Sequence, residues 1–298
     1  MAEKHDFLTL ADLSLGEHRA LLARARALEE RRARGVVDTT MAGKTLALLF
    51  EKPSTRTKLS FEAAMTQLGG GVISINASDS QLSRGETLSD TAQVVSRYAD
   101  AIVFRTFGDA RLRELAAAAT VPVINGLSDQ AHPVQLLADV MTIEEKLGKI
   151  SGMTIAFLGD GTSNMTRSWI EAATLFNFSL RIGAPQSFSP TLNNAKNVTL
   201  FESAEEAATG VDVVATDVWT SMGQEADSAE RKRILLPYQV NAKLVALAAA
   251  HAIVLHCLPA HRGEEISGDV VDGPQSVVFD EAENRMHVQK ALLEILLA

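Results

Sequence analysis

Short apolar runs of β-forming residues alternate with stretches of helical periodicity along most of the chain, and this alternation constrains the fold most. The runs cover residues 45–50, 72–75, 101–104, 121–124, 154–158, 180–183, 211–215, 253–255 and 277–279. Strands separated by helices imply parallel sheets covered on both faces. Four of the nine runs precede the polar, glycine-containing junction Leu147-Gly148-Lys149-Ile150-Ser151-Gly152 and five follow it. The expectation is an α/β fold of two Rossmann-like domains, each a parallel sheet flanked by helices, spanning 1–147 and 148–280. A helix over 133–147 bridges the halves, and a final helix over about 281–298 packs back on the first. In open sheets of this kind ligands lie beyond the carboxyl ends of the strands.

The chain of 298 residues is long enough for two such cores. Its 28 basic and 37 acidic residues leave a net charge of −9. That excess argues against a nucleic-acid partner, which would require a basic footprint. An anionic substrate would have to be held by a local cluster of cations against the overall field. The single cysteine, Cys257, excludes an intrachain disulfide and suits a reducing cytoplasm. Residues 1–6 are charged and lack the apolar stretch of a secretory signal. The most apolar stretch, 244–258, is too short for a span and carries His251 and His256, so it reads as a helix followed by a buried strand. No membrane association is expected. Ser14 and Glu17 form a capping box ahead of a helix whose charged face covers 23–35.

Ser54-Thr55-Arg56-Thr57 stands between the strand over 45–50 and an amphipathic helix. Phe61, Ala64, Met65 and Leu68 supply that helix's apolar stripe, and Gly69-Gly70-Gly71 ends it. The four polar residues therefore occupy a helix N-terminus, where unpaired N–H groups and the dipole attract an anion. Hydroxyls and the Arg56 fork would complete a phosphate shell. Taken alone, the same four residues fit an N-cap beside a surface arginine equally well.

The wider run Phe50-Glu-Lys-Pro-Ser-Thr-Arg-Thr-Lys-Leu-Ser-Phe-Glu62 resembles the carbamoyl-phosphate signature of the aspartate/ornithine carbamoyltransferase family. Six further matches follow in the family's order: Ser80-Gln81-Leu82, Phe104-Arg105-Thr106, His132-Pro133-Val134-Gln135, Asp217-Val-Trp-Thr-Ser-Met-Gly223, His256-Cys257-Leu258-Pro259 and Phe279-Asp-Glu-Ala-Glu-Asn-Arg285.

The resemblance implies transfer of a carbamoyl group from carbamoyl phosphate to an amine, without cofactor or metal. It assigns the phosphate to Ser54, Thr55, Arg56 and Thr57, and the carbamoyl end to Arg105, His132 and Gln135. Pro133 suits a first helical position, which would place His132 at the cap and Gln135 one turn on. Both could then donate to one carbonyl oxygen and stabilise the oxyanion formed as the amine attacks. An ordinary cap and a surface amide are the bland alternatives. Arg285 matches a family arginine at carbamoyl phosphate, although alone it fits a surface ion pair. Gln81 matches a loop that in the family enters a neighbouring subunit's site. That implies a homotrimer or a multiple of trimers, with residues 76–86 acting as a lid.

The segment Asp217 to Gly223 resembles the ornithine branch, in which this Asp and Ser, with the backbone at Met222, hold the α-amino acid end. Asn164 matches an asparagine contacting the same substrate. Asp217, Ser221, Met222 and Asn164 therefore imply L-ornithine, with citrulline and phosphate as products. Putrescine or aspartate are the alternative amines, and aspartate would require further cations. Citrulline formation for arginine biosynthesis and its catabolic reverse are both open. Cys257 and Leu258 match positions beside the reacting amine and the carbamoyl group. The ornithine amine has an ordinary pKa of about 10.4, so the site must favour its neutral form. Cys257 would orient that amine rather than form an acyl-enzyme, because direct attack requires none. The Leu258–Pro259 bond is expected to be cis by the same resemblance.

Three other classes are weaker. A nicotinamide dehydrogenase would use Gly159-Asp160-Gly161, but Asn164 stands at the third glycine position and no acidic residue ends the next strand. A zinc enzyme built on His256, Cys257 and His261 lacks a fourth ligand. A non-catalytic phosphate-binding module leaves the Asp217 and His256 motifs without a purpose. Departures from the family pattern are Ser163 ahead of Asn164, Arg167, and a shortened stretch over 185–201.

Overall fold

The computed structural model describes residues 4–192, 195–220 and 228–298. Its contacts divide the chain into two units, Met1–Leu137 with Glu283–Ala298, and Ala138–Ala282. The helices Pro133–Leu147 and Val278–Leu297 each contribute residues to both.

The first unit holds β1 (Thr45–Phe50), β2 (Gly71–Asn76), β3 (Ala101–Arg105) and β4 (Val123–Asn125), all parallel in the order β2-β1-β3-β4. β1 and β3 are continuous apolar runs because they are covered on both faces. β2 lies at the edge and is largely exposed, with Ile73 at 43%. The helix Thr55–Gln67 buries Thr57, Phe61, Ala64 and Met65, the spacing expected of a 3.6-residue repeat. Phe61 is fully buried, and truncating it to alanine would cost about 3–5 kcal/mol. Gly69 ends the helix with φ +84°, a conformation open to glycine at little cost.

The second unit holds β5 (Thr154–Leu158), β6 (Ser179–Gly183), β7 (Val198–Phe201), β8 (Val213–Thr216) and β9 (Ile253–His256), parallel in the order β7-β6-β5-β8-β9. Both sheets have a topological switch. The chain leaves β1 for β2 and returns to place β3 on the other side of β1; β5 and β8 repeat the pattern. Such points open a crevice at the carboxyl ends of the strands.

Two expectations about the strands require correction. Residues 277–279 do not form a strand: the helix Val278–Leu297 begins there. Ser276 makes one isolated bridge to Val254 beside β9, but Glu281 N already donates to the Val277 carbonyl at 2.9 Å, and Phe279 is 66% exposed. Acidic Asp280 and Glu281 in the first turn favour the helix through its dipole. The fifth strand is instead β7, in the stretch noted only as shortened. Before β7 the described residues hold a single short turn, Gln186–Phe188.

The expected capping box is present: Ser14 Oγ accepts from Glu17 N at 3.3 Å, and Ser14 N donates to Glu17 Oε2 at 2.7 Å. The apolar stretch near 250 resolves into the helix Ala242–Val245 and the buried strand β9. No helix among the described residues is long and apolar enough to cross a membrane.

Candidate active site

The unusual polar residues of each unit gather at its switch point. In the first unit, Ser54–Thr57 follow β1 and Arg105 ends the adjacent β3. Ser54 caps the helix Thr55–Gln67, its Oγ accepting from Thr57 N at 3.3 Å. One of the four terminal N–H groups is therefore already satisfied, and the Ser54 hydroxyl hydrogen remains available to a ligand. Thr55 is exposed and Arg56 half-buried on the first turn.

Thr57, only 2% exposed, is the hub of the cluster. Its Oγ1 accepts from Arg285 Nη2 at 2.6 Å and lies 3.5 Å from Arg105 Nη1, which also reaches the Gly126 carbonyl at 3.3 Å. Arg285 Nη1 donates to Gln135 Oε1. Gln135 lies one turn into the helix that Pro133 opens, and the His132 carbonyl accepts from Gln135 N at 3.1 Å. Arg105, His132, Gln135 and Arg285 are each at most 7% exposed. Burial, and then the positive charges of Arg285 and Arg105, hold the His132 imidazole well below the ordinary histidine range. It is therefore a neutral ring carrying one N–H, suited to donating to a carbonyl oxygen.

Supporting residues escaped the sequence reading. Lys52, 6% exposed, pairs with Asp129 at 2.5 Å and lies 4.6 Å from the Phe107 ring centroid. Glu51 accepts from the Thr106 hydroxyl and from Arg111 Nε at 3.1 Å. These two neighbours tie the loop after β1 to those after β3 and β4. The signal was charge directly before Pro53, where a solvent-facing turn was the simpler reading.

Gln81 is exposed on the turn Gln81–Arg84, its backbone carbonyl accepting from Glu86 N at 3.1 Å. Among the described residues no hydrogen bond ties its side chain to the Thr57 cluster.

In the second unit, Asn164 follows β5, Asp217 follows β8 and Cys257 follows β9. Ser163 caps the helix Asn164–Phe176 and its Oγ accepts from Thr166 N at 3.1 Å, so the departure at Ser163 supplies an effective cap. Asn164 is half-buried at the first helical position, and Arg167 is exposed. Asp217 Oδ1 accepts from Val218 N at 2.8 Å and from the Cys257 thiol at 3.1 Å. Burial raises the Asp217 carboxyl above the ordinary aspartate range. Burial and the Asp217 carboxylate together push the Cys257 thiol well above its ordinary value. Cys257 is thus a neutral hydrogen-bond donor and a poor nucleophile. Leu258 has φ +54°, and the Leu258–Pro259 bond is cis, as expected. Ser221, Met222 and Gly223 lie outside the described residues.

The rival constellations are not assembled. Gly159 lies under Trp219, whose Nε1 would stand 3.0 Å from an added Cβ, and Gly161 faces the Phe188 carbonyl and Pro190. Asp160 is paired with Arg231 at 2.5 Å. Both glycines are thus closely approached by groups of their own unit. His256 and Cys257 gather with Asp217, whereas His261 gathers with Glu264 and Glu265. The zinc set of His256, Cys257 and His261 is not brought together as one group.

Comparison with known proteins agrees with the motifs. Residues 5–145 match the family model described as aspartate/ornithine carbamoyltransferase, carbamoyl-P binding domain, and residues 151–296 match the Asp/Orn binding domain model. An ornithine carbamoyltransferase from Desulfotalea psychrophila is 51% identical over 96% of this chain and 97% of its own. The solved ornithine carbamoyltransferase from Pyrococcus furiosus is 46% identical, covers 97% of this chain and 96% of its own, and superposes with a TM-score of 0.93. That from Burkholderia thailandensis is 41% identical over 98% of each chain, with a TM-score of 0.91.

Proposed function

The chain belongs to the aspartate/ornithine carbamoyltransferase family, and we propose that it transfers the carbamoyl group of carbamoyl phosphate to the side-chain amine of L-ornithine, giving L-citrulline and phosphate. The observation that carries this reading is the interlocked cluster of Thr57, Arg105, Gln135 and Arg285 at the switch point of the first sheet. It concentrates buried positive charge and neutral donors in a chain whose net charge is −9. A small dianion with a carbonyl attached fits that arrangement.

In this reading residues 1–147 bind carbamoyl phosphate, joined by the helix over about 281–298, and residues 148–280 bind ornithine. Ser54, Thr55, Arg56 and Thr57 hold the phosphate with Arg105 and Arg285. His132 and the Gln135 amide donate to the carbamoyl oxygen, with Arg105 beside them, and stabilise its charge as the amine attacks. The neutral state of His132 supports this role, because the ring donates without releasing a proton. Departing phosphate takes the proton from the amine.

Asp217 attracts the ammonium group of the amino acid end, with Asn164, Ser221 and Met222 completing that subsite. Cys257 and Leu258 orient the side-chain amine and the carbamoyl group. The thiol's raised pKa favours direct transfer over an acyl-enzyme. Cofactor and metal have no part in these steps. Gln81, exposed beyond the edge strand β2, is assigned to the site of a neighbouring subunit in a cytoplasmic homotrimer.

The test is citrulline formation across ornithine, putrescine and aspartate at matched concentrations. Ornithine should give by far the highest kcat/KM. Equal or faster carbamoylation of either competitor would overturn the substrate assignment.

A further inference from the structure

The segment over 261–266 carries a group of metal-binding side chains that the proposed transfer does not use. The chain folds back on itself there: Gly263 N donates to the Ile266 carbonyl at 2.9 Å, and Glu264 N to the His261 carbonyl at 2.8 Å. Gly263 takes φ +91°, which a side chain would resist. Arg262 pins the segment from its other side through Asp272, at 2.6 Å to Oδ2 and 2.8 Å to Oδ1. The fold brings a ring nitrogen of His261 and one carboxylate oxygen each of Glu264 and Glu265 within 4.8 Å of one another. His261 Nδ1 stands 3.7 Å from Glu264 Oε2.

Each carboxylate has one oxygen satisfied and one not. Glu264 Oε1 pairs with Lys232 Nζ at 2.7 Å, and Glu265 Oε1 accepts from His261 N at 2.6 Å. Both Oε2 atoms are buried and have no hydrogen-bond partner among the described residues. Glu265 is fully buried as a whole residue. Buried carboxylate oxygens left without a donor or a cation are costly, and a metal ion removes that cost. A tetrahedral ion with bonds of about 2.0–2.2 Å holds its ligand atoms about 3.3–3.6 Å apart, so small side-chain rotations close these three atoms round one ion. One imidazole with two carboxylates suits a divalent first-row ion such as zinc better than calcium or magnesium, which prefer oxygen alone. The His261 side chain is 47% exposed, which gives the ion an entry path and leaves room for water. The neighbouring group of Asp217, His256 and Cys257 is a poorer candidate. Thiolate is the metal-binding form of cysteine, and the Cys257 thiol is held well above its ordinary pKa.

We propose that His261, Glu264 and Glu265 form a divalent-metal site of the zinc class, with water as the fourth ligand. The site stands apart from the carbamoyl-transfer reading, because it lends no group to either substrate and its occupancy is read without turnover. The bound ion ties the exposed imidazole to the buried Glu265 and stiffens the segment between them.

The experiment is calorimetric titration of the full-length, chelator-treated protein with Zn²⁺ in a Cys257→Ser background, which removes the single thiol. One ion should bind per chain and raise the melting temperature. His261→Ala and Glu264→Gln, each in that background, should weaken binding by at least about 100-fold, the upper end of what losing an outer-shell partner alone costs. His251→Ala, an exposed histidine paired with Asp212, should leave the affinity within about threefold. No saturable Zn²⁺ binding, or binding that persists in folded His261→Ala or Glu264→Gln, would overturn the proposal. Where Cys257→Ser fails to fold, Co²⁺ titration of wild type decides. Visible absorption without a thiolate charge-transfer band, lost in His261→Ala, supports the site, and a thiolate band accounting for all the bound Co²⁺ overturns it.

Discussion

In the first unit buried cations converge on a hydroxyl, whereas in the second a carboxylate faces a thiol. Arg105 and Arg285 both reach Thr57 Oγ1, and His132 is kept neutral by burial and then by their charge. Asp217 receives the Cys257 hydrogen bond, and both groups are shifted towards their protonated forms. The first arrangement suits a dianion with a polarised carbonyl. The second suits an ammonium group at one end of a substrate and an amine that must lose its proton at the other. Under the proposed function, the opposite electrostatics of the two sheets would serve two substrates of opposite local charge.

The sharpest break of this comparison is Arg56→Ala. Removing the guanidinium that the proposal assigns to the phosphate should lower kcat/KM by at least about 10³-fold, or about 4 kcal/mol of transition-state stabilisation. A near-normal kcat/KM for carbamoyl phosphate would remove the cradle from the account. Asp217→Asn should act on the other half alone. The expected loss is about 100-fold in kcat/KM for ornithine, with the carbamoyl-phosphate KM nearly unchanged, and a matching rise in the latter would show that the halves are not separable in this way.

Cys257→Ser should cost less than about tenfold, because a hydroxyl donates to Asp217 as a thiol does. A loss comparable to that of Arg56→Ala would point to a covalent role that the raised thiol pKa argues against. The smallest effect concerns stability. Burial, with the nearby Lys290 charge, pushes fully buried His287 down to about 4 from 6.5. Between those values the unfolded chain binds a proton that the folded chain does not, so stability falls as pH drops from 6.5 towards 4. Thermal melts of wild type and His287→Gln should diverge across that window, and parallel curves would contradict the assignment.

The sheets were legible because most strands are buried runs bounded by turns; β1 and β5 end where their apolar runs end. The run over 277–279 misled because three apolar residues carry no period, and the acidic first turn decides for a helix. β7 was missed because Val198–Phe201 is a short, half-exposed edge strand without a continuous apolar run. Motif order pointed to Arg105, His132, Gln135 and Arg285, but not to their shared hub. That Arg285 meets Thr57, 228 positions away, is a tertiary fact with no local signal. The buried pairing of His256 with Glu265 was invisible for the same reason: the two lie nine positions apart, and only the fold turns that spacing into a 3.0 Å hydrogen bond.

The central claim is direct carbamoyl transfer from carbamoyl phosphate to ornithine, with no acyl-enzyme. Incubation with ¹³C-carbamoyl phosphate and ornithine, followed by NMR of the product, phosphate assay and intact-protein mass, tests it in one measurement. The account predicts labelled citrulline and phosphate in equal amounts, phosphate release that requires ornithine, and a protein mass unchanged during turnover. Ornithine-independent phosphate release with a carbamoylated Cys257 would contradict it.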